Sequence, residues 1–458
     1  MWSNDHFGLR SRRQFGVESL AAAAASSGLL ARARGQAVVE TDAGILADYA
    51  QARDPSTRTE LVAEGELAGG RFRTHRLVSQ TWRGTEWMHE LSIFAPAGLP
   101  PDVDNMLLWI DGGKAGRLHE LGATPGDALK TLAMAATAAG LPAAVVRQVP
   151  FQPMFDGLVE DDLIAHTFVE YSRTGDPSWP LLLPMVKAAV EAMTAAAAAA
   201  RDAWGMAIEG FVVTGASKRG WTTWLTAAVD ARVRGAMPMV IDMLSLERHV
   251  ELQHASFGGM SEALEPYTSV GIEKLLGSPR GRELIEIVDP YTYRDRIVQP
   301  KVIALGTNDP YWPLGALDLY LTGLAGPRWV SYAPNAGHGL PALRVGGLVA
   351  ALGRHVTGAE RLPDFDWSFE PTATGSACVV RATPEPAEAF VWQAAADTRD
   401  FRQARWTAAP VGRADGTWRA DIERPTRGFQ ATLVECRYPR EPLPLLLTTS
   451  VHVQQAST

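Results

Sequence analysis

The strongest constraint on the fold of this chain is an ordered alternation of strands and helices that begins near residue 105. The segment "NMLLWI" (105–110) is typical of a buried strand, and "GDALKTLAMAATAAG" (126–140) has helical spacing and ends at a glycine. A second strand, "LPAAVVRQVP" (141–150), follows directly. Strand, helix and strand of these lengths are typical of a βαβ unit, whose two strands run parallel.

The alternation continues to residue 356. Four further strands end in polar residues, and each follows a helical stretch: "GFVVTG" (210–215), "VRGAMPMVID" (233–242), "PKVIALGTND" (300–309) and "PRWVSYAPNAGH" (327–338). Right-handed crossovers then place these strands side by side, with helices on both faces. Two earlier runs, 70–82 and 87–96, predict an antiparallel opening pair. The sequence therefore predicts a doubly wound, mostly parallel α/β sheet.

The predicted domain plan has three parts. Residues 36–364 form the α/β domain, with an insertion at about 151–195 that lies above the sheet as a lid. From residue 365 to residue 458 the periodicity changes to short alternating runs separated by Gly and Pro, which predicts a small antiparallel β-sandwich of immunoglobulin or fibronectin type. This sandwich either binds carbohydrate or simply covers the α/β domain.

The first 35 residues are typical of an export signal. Arg12 and Arg13 precede the weakly apolar stretch "GVESLAAAAASSGLLA", and "ARA" at 31–33 suits a signal peptidase. This pattern predicts a twin-arginine signal peptide and a periplasmic or secreted protein. The alternative is a disordered basic N-terminus of a cytoplasmic protein.

Composition narrows the classes of partner. The chain has 458 residues and a net charge of −8 with both signs interspersed, which gives no reason to expect nucleic acid or an acidic membrane surface. No later stretch of about 18 apolar residues predicts a transmembrane segment in the mature protein. Cys378 and Cys436 either pair or remain buried free thiols. No metal or cofactor motif is present, since Lys114 after "DGG" lacks the Ser or Thr of a phosphate loop.

The segment Gly215-Ala216-Ser217 lies between a predicted strand and a predicted helix, as in a nucleophile elbow. Serine is also a favoured helix N-cap, so the motif alone leaves both interpretations open. Arg219 occupies the position where many hydrolases have a second glycine.

Two later strand ends supply the partners that a catalytic serine needs. Asp309 and His338 each follow a strand, so both are expected at the same sheet edge as Ser217. His338 would take the serine proton and return it to the leaving group, and Asp309 would orient the ring. Asp242, after the strand at 233–242, is the alternative acid.

An oxyanion hole needs two hydrogen-bond donors. We expect the backbone N–H of Lys218 to be one, and Gly112 or Gly113 in the loop after the strand at 105–110 to supply the other. A simple glycine turn fits the same residues. Lys218 and Arg219 are cations at a helix N-terminus, where the macrodipole disfavours them. Arg219 therefore either binds a substrate carboxylate or makes a structural ion pair, for instance with Asp242.

The predicted lid offers further candidates for substrate binding. Trp179 and His166, with Phe151 and Phe155, would line a pocket above the sheet or pack within the lid.

The chain from residue 37 to 458 resembles the PhoPQ-activated pathogenicity-related proteins, a branch of the α/β-hydrolase superfamily. Five long stretches carry the resemblance: "GASKRGWTTWLTAAVD", "FDG" with "EDDLIAHTF", "TGDPSWPLLLPMVKAA", "QPKVIALGTNDPYW" and "PNAGHGLP". The family is similar in active-site layout to glucuronoyl esterases, which also have basic residues beside the elbow serine. The resemblance implies a hydrolase with Ser217, Asp309 and His338 as its triad.

These observations predict an exported serine hydrolase that cleaves a small-molecule or glycoconjugate ester through an acyl-enzyme. The basic elbow adds a predicted preference for substrates with an acidic group. Two alternatives are a serine peptidase resembling the prolyl oligopeptidase group and a non-catalytic periplasmic binding protein on a hydrolase scaffold.

Overall fold

The structure, a computed structural model, describes residues 43–100, 102–115, 126–414 and 416–457. The predicted signal peptide lies outside the described residues. The helices are α1 (Ala43–Gln51), α2 (Asp127–Ala139), α3 (Glu160–Thr174), α4 (Leu182–Trp204), α5 (Lys218–Val229), α6 (Leu246–Phe257), α7 (Glu265–Thr268), α8 (Ile272–Leu276), α9 (Pro279–Val288) and α10 (Ala342–Val356).

A mixed sheet of nine strands organises the larger part of the molecule. Its strands are β1 (Arg58–Leu67), β2 (Gly70–Trp82), β3 (Thr85–Ala95), β4 (Asn105–Ile110), β5 (Ala143–Val146), β6 (Gly210–Ala216), β7 (Val233–Met239), β8 (Lys301–Gly306) and β9 (Arg328–Ala333). Their order across the sheet is β1-β2-β3-β5-β4-β6-β7-β8-β9. The first three strands are antiparallel, and β5, β4 and β6 to β9 are parallel.

Helices cover both faces of this sheet, which explains why its central strands are apolar along their whole length. Leu107 of β4 and Val212 of β6 point to the face covered by α2 and α10. Leu108 and Val213, the next residues along, point to the face covered by α4 and α5. This arrangement is the α/β-hydrolase fold, and it confirms the predicted doubly wound, mostly parallel sheet.

Strand β1 was not expected from the sequence. Its segment "RTELVAEGEL" carries several charges and lies at the sheet edge, where most of its side chains are exposed. An exposed edge strand buries neither face, so the alternation of apolar and polar residues that reveals other strands is absent.

The antiparallel part of the chain begins at Asp364. Its strands are β10 (Asp364–Pro371), β11 (Gly375–Thr383), β12 (Glu388–Ala396), β13 (Thr407–Pro410), β14 (Gly412–Ala414), β15 (Thr417–Glu423), β16 (Phe429–Tyr438), β17 (Leu445–Thr448) and β18 (His452–Gln455). They form one sheet in the order β10-β11-β15-β14 and another in the order β13-β12-β16-β17, with β18 paired to β16. Cys378 of β11 and Cys436 of β16 are buried free thiols in the core that these sheets share.

Hydrogen bonds join these sheets to the edge of the large sheet at β9. The Ser331 hydroxyl donates to the Leu446 carbonyl over 2.7 Å, and Arg344 of α10 makes a buried ion pair with Glu435 of β16. The sandwich therefore covers the β9 side of the α/β sheet.

Within the described residues, α4 has the length and composition that a membrane-crossing helix needs. However, 78% of its most apolar segment is buried inside the protein, as in the core helix of a globular domain.

Candidate active site

Ser217 occupies a strained turn between β6 and α5. Its backbone lies at φ 58° and ψ −128°, a region that residues with a side chain rarely adopt and that costs roughly 1–3 kcal/mol. The Ser217 N–H donates to the Met239 carbonyl of β7 over 2.8 Å, which ties the turn to the neighbouring strand. The Ser217 side chain makes no capping hydrogen bond to α5. This geometry is that of a nucleophile elbow rather than of a helix cap.

Close packing at the elbow depends on two glycines. A Cβ on Gly215 would come within 2.7 Å of the Arg219 carbonyl oxygen, and a Cβ on Gly220 would come within 2.8 Å of the Met239 carbonyl oxygen. Gly220 therefore fills the role of the second glycine, one position later than in the usual motif. The usual motif predicts this glycine at position 219, where the chain has an arginine.

The structure brings His338 and Asp309 together. His338 Nδ1 lies 2.8 Å from Asp309 Oδ2 and 3.0 Å from Oδ1, and the Tyr311 N–H donates to Oδ1 over 2.9 Å. Asp309 is 4% exposed, so water screens this contact little. A proton on Nδ1 leaves Nε2 as the acceptor nitrogen, and Nε2 has no partner among the described residues.

Asp242, the alternative acid, lies in a separate buried cluster. Its carboxyl group accepts from the hydroxyls of Tyr320 at 2.8 Å and Tyr332 at 3.4 Å. Burial raises the pKa of Asp242 to about 7, although the two tyrosine hydrogen bonds act against this increase. The structure thus pairs His338 with Asp309 and gives Asp242 two phenol partners instead.

The candidate oxyanion donors belong to two segments, the first residue of α5 and the loop after β4. Lys218 is the first residue of α5, where a backbone N–H has no acceptor within the helix. Gly112 and Gly113 follow β4, the strand next to β6, and among the described residues neither N–H finds a backbone acceptor. Gly113 adopts φ 147°, a conformation that favours glycine.

The cations of the elbow are paired with acids at the start of α3. Arg219 makes two parallel contacts of 2.8 Å with the Glu160 carboxylate, and its Nε donates to the Val149 carbonyl. Lys218 Nζ lies 2.9 Å from Glu160 and 3.4 Å from Asp161. The structural ion pair that the sequence analysis considered for Arg219 thus exists, but its partner is Glu160 and not Asp242.

Glu160 stays ionised in this cluster. Burial alone would raise the pKa of Glu160, but the hydrogen bonds and charges of Arg219 and Lys218 outweigh it and hold that pKa well below its usual range. Its backbone at φ 53° is strained, and its N–H donates to Gln152 Oε1 over 2.7 Å. These contacts fix Glu160 in place at the N-terminus of α3, where a negative charge is favoured.

Gln152 connects this ion cluster to the glycine loop. Its side-chain amide donates to Glu160 Oε1 and, over 3.2 Å, to the Gly113 carbonyl. A Cβ on Gly112 would lie 2.7 Å from the Arg219 guanidinium, so the arginine packs directly against the loop. We refer to Arg219, Glu160, Gln152 and the glycines at 112 and 113 as the polar network.

A cavity of about 80 Å³ opens at Ser217 on the opposite side, toward the loops after β7 and β8. Its walls come mainly from α3, α5, α6, α7 and α8, and most of the lining side chains are apolar. Tyr311 lines this cavity, and its ring also packs against that of His338 with 4.4 Å between centroids.

Trp179 and His166 lie elsewhere. Their rings pack with Phe155 and Trp82, at centroid distances of 6.2 Å between His166 and Trp179 and 5.7 Å between Phe155 and Trp179. The Arg83 guanidinium covers the Trp179 ring at 3.9 Å. None of these side chains lines the cavity at Ser217 within the described chain.

Sequence reasoning missed Glu160, Gln152, Tyr311 and His249, the last of which lines the cavity. A signal for Glu160 was present, because the acidic run "EDDL" is the natural counterpart of the basic "SKRG". Nothing in the sequence marked His249 or Gln152, whose positions depend on how distant segments pack.

The sheet order and the elbow define the class: this is a protein of the α/β-hydrolase fold. The chain belongs to the PhoPQ-activated pathogenicity-related protein family, whose profile matches residues 46–402.

Among curated proteins, the autocrine proliferation repressor protein A of Dictyostelium discoideum is 28% identical over 430 residues, which cover 86% of this chain and 85% of that protein. Among solved structures, the acetyl xylan esterase 1 of Thermoanaerobacterium sp. JW/SL YS485 is 14% identical, with a TM-score of 0.47 over 69% of this chain and 93% of that one. An S-formylglutathione hydrolase from Agrobacterium tumefaciens is 13% identical, with a TM-score of 0.42 over 66% of this chain and 99% of that one.

Proposed function

We propose that this protein is a serine hydrolase that cleaves carboxylic esters through an acyl-enzyme, with Ser217, His338 and Asp309 as its triad. The observation that carries the proposal is the contact of His338 Nδ1 with Asp309, which leaves Nε2 as a free acceptor at the sheet edge where Ser217 is held in its strained elbow. Small-molecule or glycoconjugate esters are the substrates that we expect.

In this mechanism His338 Nε2 takes the proton of the Ser217 hydroxyl as its oxygen attacks the ester carbonyl carbon. The Asp309 carboxylate holds the Nδ1 proton and stabilises the imidazolium that forms. Backbone N–H groups of Lys218 and of the loop at Gly112 and Gly113 would bind the oxyanion. His338 then protonates the leaving alcohol, and a water molecule deprotonated by the same histidine releases the acid.

The test is labelling of the purified protein with a fluorophosphonate probe, which reacts with activated serines. We expect labelling of the wild type and its loss in both Ser217→Ala and His338→Ala. Folded wild-type protein that takes up no probe would overturn the proposal and favour a non-catalytic binding protein on a hydrolase scaffold. Matched ester and amide substrates then test the peptidase alternative.

The predicted preference for acidic substrates has less support than the triad. Lys218 and Arg219 are neutralised by Glu160 and Asp161, and the Arg219 side chain is 11% exposed. The preference stays a prediction, which a comparison of Arg219→Ala with the wild type tests. Equal discrimination by both proteins between neutral esters and esters with a carboxylate on the alcohol part would rule it out.

We also propose export to the periplasm or the medium, supported by the Arg12-Arg13 pair and the apolar stretch after it. Replacement of both arginines by lysine should retain the full-length protein in the cytoplasm of a bacterial host. Unchanged export of that variant would contradict a twin-arginine route.

A further inference from the structure

The cavity at Ser217 lies where the acyl part of a substrate has to go. A tetrahedral carbon on Ser217 carries an oxyanion, a leaving group and an acyl chain. The oxyanion points to the donors at Gly112 and Gly113, and the leaving group points to His338, which protonates it. None of these three residues lines the cavity in the described chain, whereas Ser217 does, together with the adjacent Lys218, whose N–H is the other proposed oxyanion donor. The remaining substituent, the acyl chain, therefore enters the cavity.

The cavity presents a mainly apolar wall to that chain. Its apolar lining includes Phe168, Trp221, Ile241, Met243, Leu264 and Ile272. Its charged members, Asp161 and Lys218, contact each other over 3.4 Å, and Asp161 also accepts from the Tyr267 hydroxyl over 3.0 Å. These polar groups are occupied by one another, so an acyl chain that carries a charge finds no free counter-ion among the described lining residues.

One buried polar atom in the described wall, Nδ1 of His249, has no hydrogen-bond partner. The contacts of Gln253 show which protonation form the His249 ring adopts. Gln253 Oε1 accepts from the Ser261 backbone N–H over 3.0 Å, which fixes the orientation of the Gln253 amide. The Gln253 NH₂ group then donates to the Tyr311 carbonyl over 2.7 Å and to His249 Nε2 over 3.1 Å. Because Nε2 accepts, the proton of the neutral ring is on Nδ1.

His249 is 3% exposed, and its Nδ1 has no hydrogen-bond partner among the described residues. Burial lowers the pKa of His249 to about 3, so the ring is neutral at physiological pH. A buried N–H without an acceptor costs free energy until a ligand supplies one. Among the described lining residues, His249 thus supplies a buried neutral donor without an acceptor in a mainly apolar wall.

We propose that the acyl group of the substrate is uncharged and mainly apolar, and that it carries a neutral acceptor oxygen that meets the Nδ1–H of His249. This inference rests on the proposed function, since it assigns the acyl pocket of the same site. The proposed acyl group is therefore longer than an acetyl group and carries no carboxylate.

The first arm of the test varies acyl length at a constant leaving group. With 4-nitrophenyl acetate, butanoate and hexanoate, kcat/KM should rise about fourfold per added methylene, because each buried CH₂ contributes about 0.8 kcal/mol. Val250→Phe, which fills the cavity from α6, should abolish this increase with acyl length. Glu251→Ala, an exposed neighbour on the same helix, is the matched control and should behave as wild type.

The second arm tests the donor of His249. Ethers that replace successive methylenes of hexanoate by oxygen place an acceptor at each depth of the cavity. At one position the ether should match or exceed hexanoate in the wild type, and His249→Phe should lower the ratio of that ether to hexanoate about three- to tenfold. His249→Asn keeps a donor near the position of Nδ1 and should restore part of the ether activity.

The outcomes separate this inference from the proposed function. If the wild type neither takes up fluorophosphonate nor hydrolyses any ester, the proposed function fails. If it reacts with the probe but prefers acetate, or if Val250→Phe lowers all esters equally, the acyl-pocket assignment is wrong. If His249→Phe changes hydrolysis of none of the ethers, the proposed hydrogen bond between the substrate and His249 is wrong, and the assignment of an apolar acyl pocket is retained.

Discussion

The two sides of Ser217 differ in chemistry. The polar network lies on the β4 side. In it, Arg219 and Glu160 form a bidentate ion pair, and Gln152 connects that pair to Gly113. On the β7 and β8 side lies the cavity, with a mainly apolar wall and one neutral donor on His249. Charge is thus concentrated beside the proposed oxyanion donors, and it is paired or absent in the wall of the proposed acyl pocket.

This difference changes the meaning of the basic elbow. In the sequence, Lys218 and Arg219 suggest a site for an acidic ligand. In the structure both cations are largely buried and bind carboxylates of α3, so their contacts join α5 to α3 and the glycine loop. Rigid placement of donors, which catalysis of this kind requires, is the better explanation of those charges.

The largest expected effect comes from the acid of the triad. Asp309→Asn should lower kcat/KM roughly 10³–10⁴-fold, because the neutral amide no longer stabilises the imidazolium or its correct tautomer. Asp242→Asn, the matched change on the neighbouring strand end, should alter kcat/KM less than about threefold. Steady-state rates with 4-nitrophenyl hexanoate measure both variants. A larger loss in Asp242→Asn than in Asp309→Asn would reverse the assignment.

A second variant disrupts the polar network and leaves the cavity wall unchanged. Glu160→Ala leaves the buried Arg219 without its carboxylate partner, keeps only Asp161 beside Lys218 and removes one contact of Gln152, so kcat should fall about 10- to 100-fold while KM for neutral esters changes little. The free energy of unfolding should fall by roughly 1–3 kcal/mol, less than for a fully buried pair because Glu160 is 36% exposed. Asp162→Ala, an exposed neighbour in α3, is the control for both measurements.

The same ion cluster predicts a pH dependence of stability. Since the pKa of Glu160 is depressed in the folded state, its stabilising effect is present above its ordinary pKa of 4.5 and is lost as pH falls below that value. Urea unfolding at pH 7, 5 and 4 should show a smaller decline for Glu160→Gln than for wild type. Parallel curves for the two proteins would show that the ion pairs do not stabilise the fold.

A variant on the apolar side should change selectivity and leave reactivity alone. Ile272→Ala enlarges the cavity, so the ratio of octanoate to butanoate hydrolysis should rise about three- to tenfold as additional methylenes are buried. The rate of labelling by a small fluorophosphonate should stay within about twofold of wild type. Loss of both labelling and chain-length selectivity would mean that Ile272 also affects the position of Ser217.

The last prediction bears on stability alone and concerns Asp242. Its pKa of about 7 in the folded state exceeds the ordinary 3.8, so the free energy of unfolding should fall as pH rises from about 4 toward 7. Asp242→Asn cannot ionise and should lack this decline, whereas the exposed Asp366→Asn should keep it. Identical pH profiles for Asp242→Asn and wild type would show that Asp242 stays charged.

Much of this fold follows from local sequence, because strands buried on both faces and helices with capped ends have clear signatures. The strand at 105–110 and the helix after Ser217 lie where periodicity predicts them. Edge strand β1 has no such pattern.

Chain order and strand ends also predict Ser217, Asp309 and His338 as a triad; His338 and Asp309 are in contact, and the catalytic roles of all three stay a prediction. Glu160 and His249, in contrast, gain their roles from contacts across long sequence separations, such as Arg219 to Glu160 and Gln253 to Tyr311. No local pattern encodes those contacts.

The central claim is that Ser217 is an activated nucleophile with an apolar acyl pocket. The most direct measurement is reaction of the protein with ethyl 4-nitrophenyl hexylphosphonate, which leaves a stable adduct, followed by peptide mass spectrometry. The account predicts one nitrophenolate per protein and an adduct on Ser217, formed faster than with the methylphosphonate and absent in Ser217→Ala and His338→Ala. An adduct on another residue, or equal rates for Ser217→Ala and wild type, would contradict it.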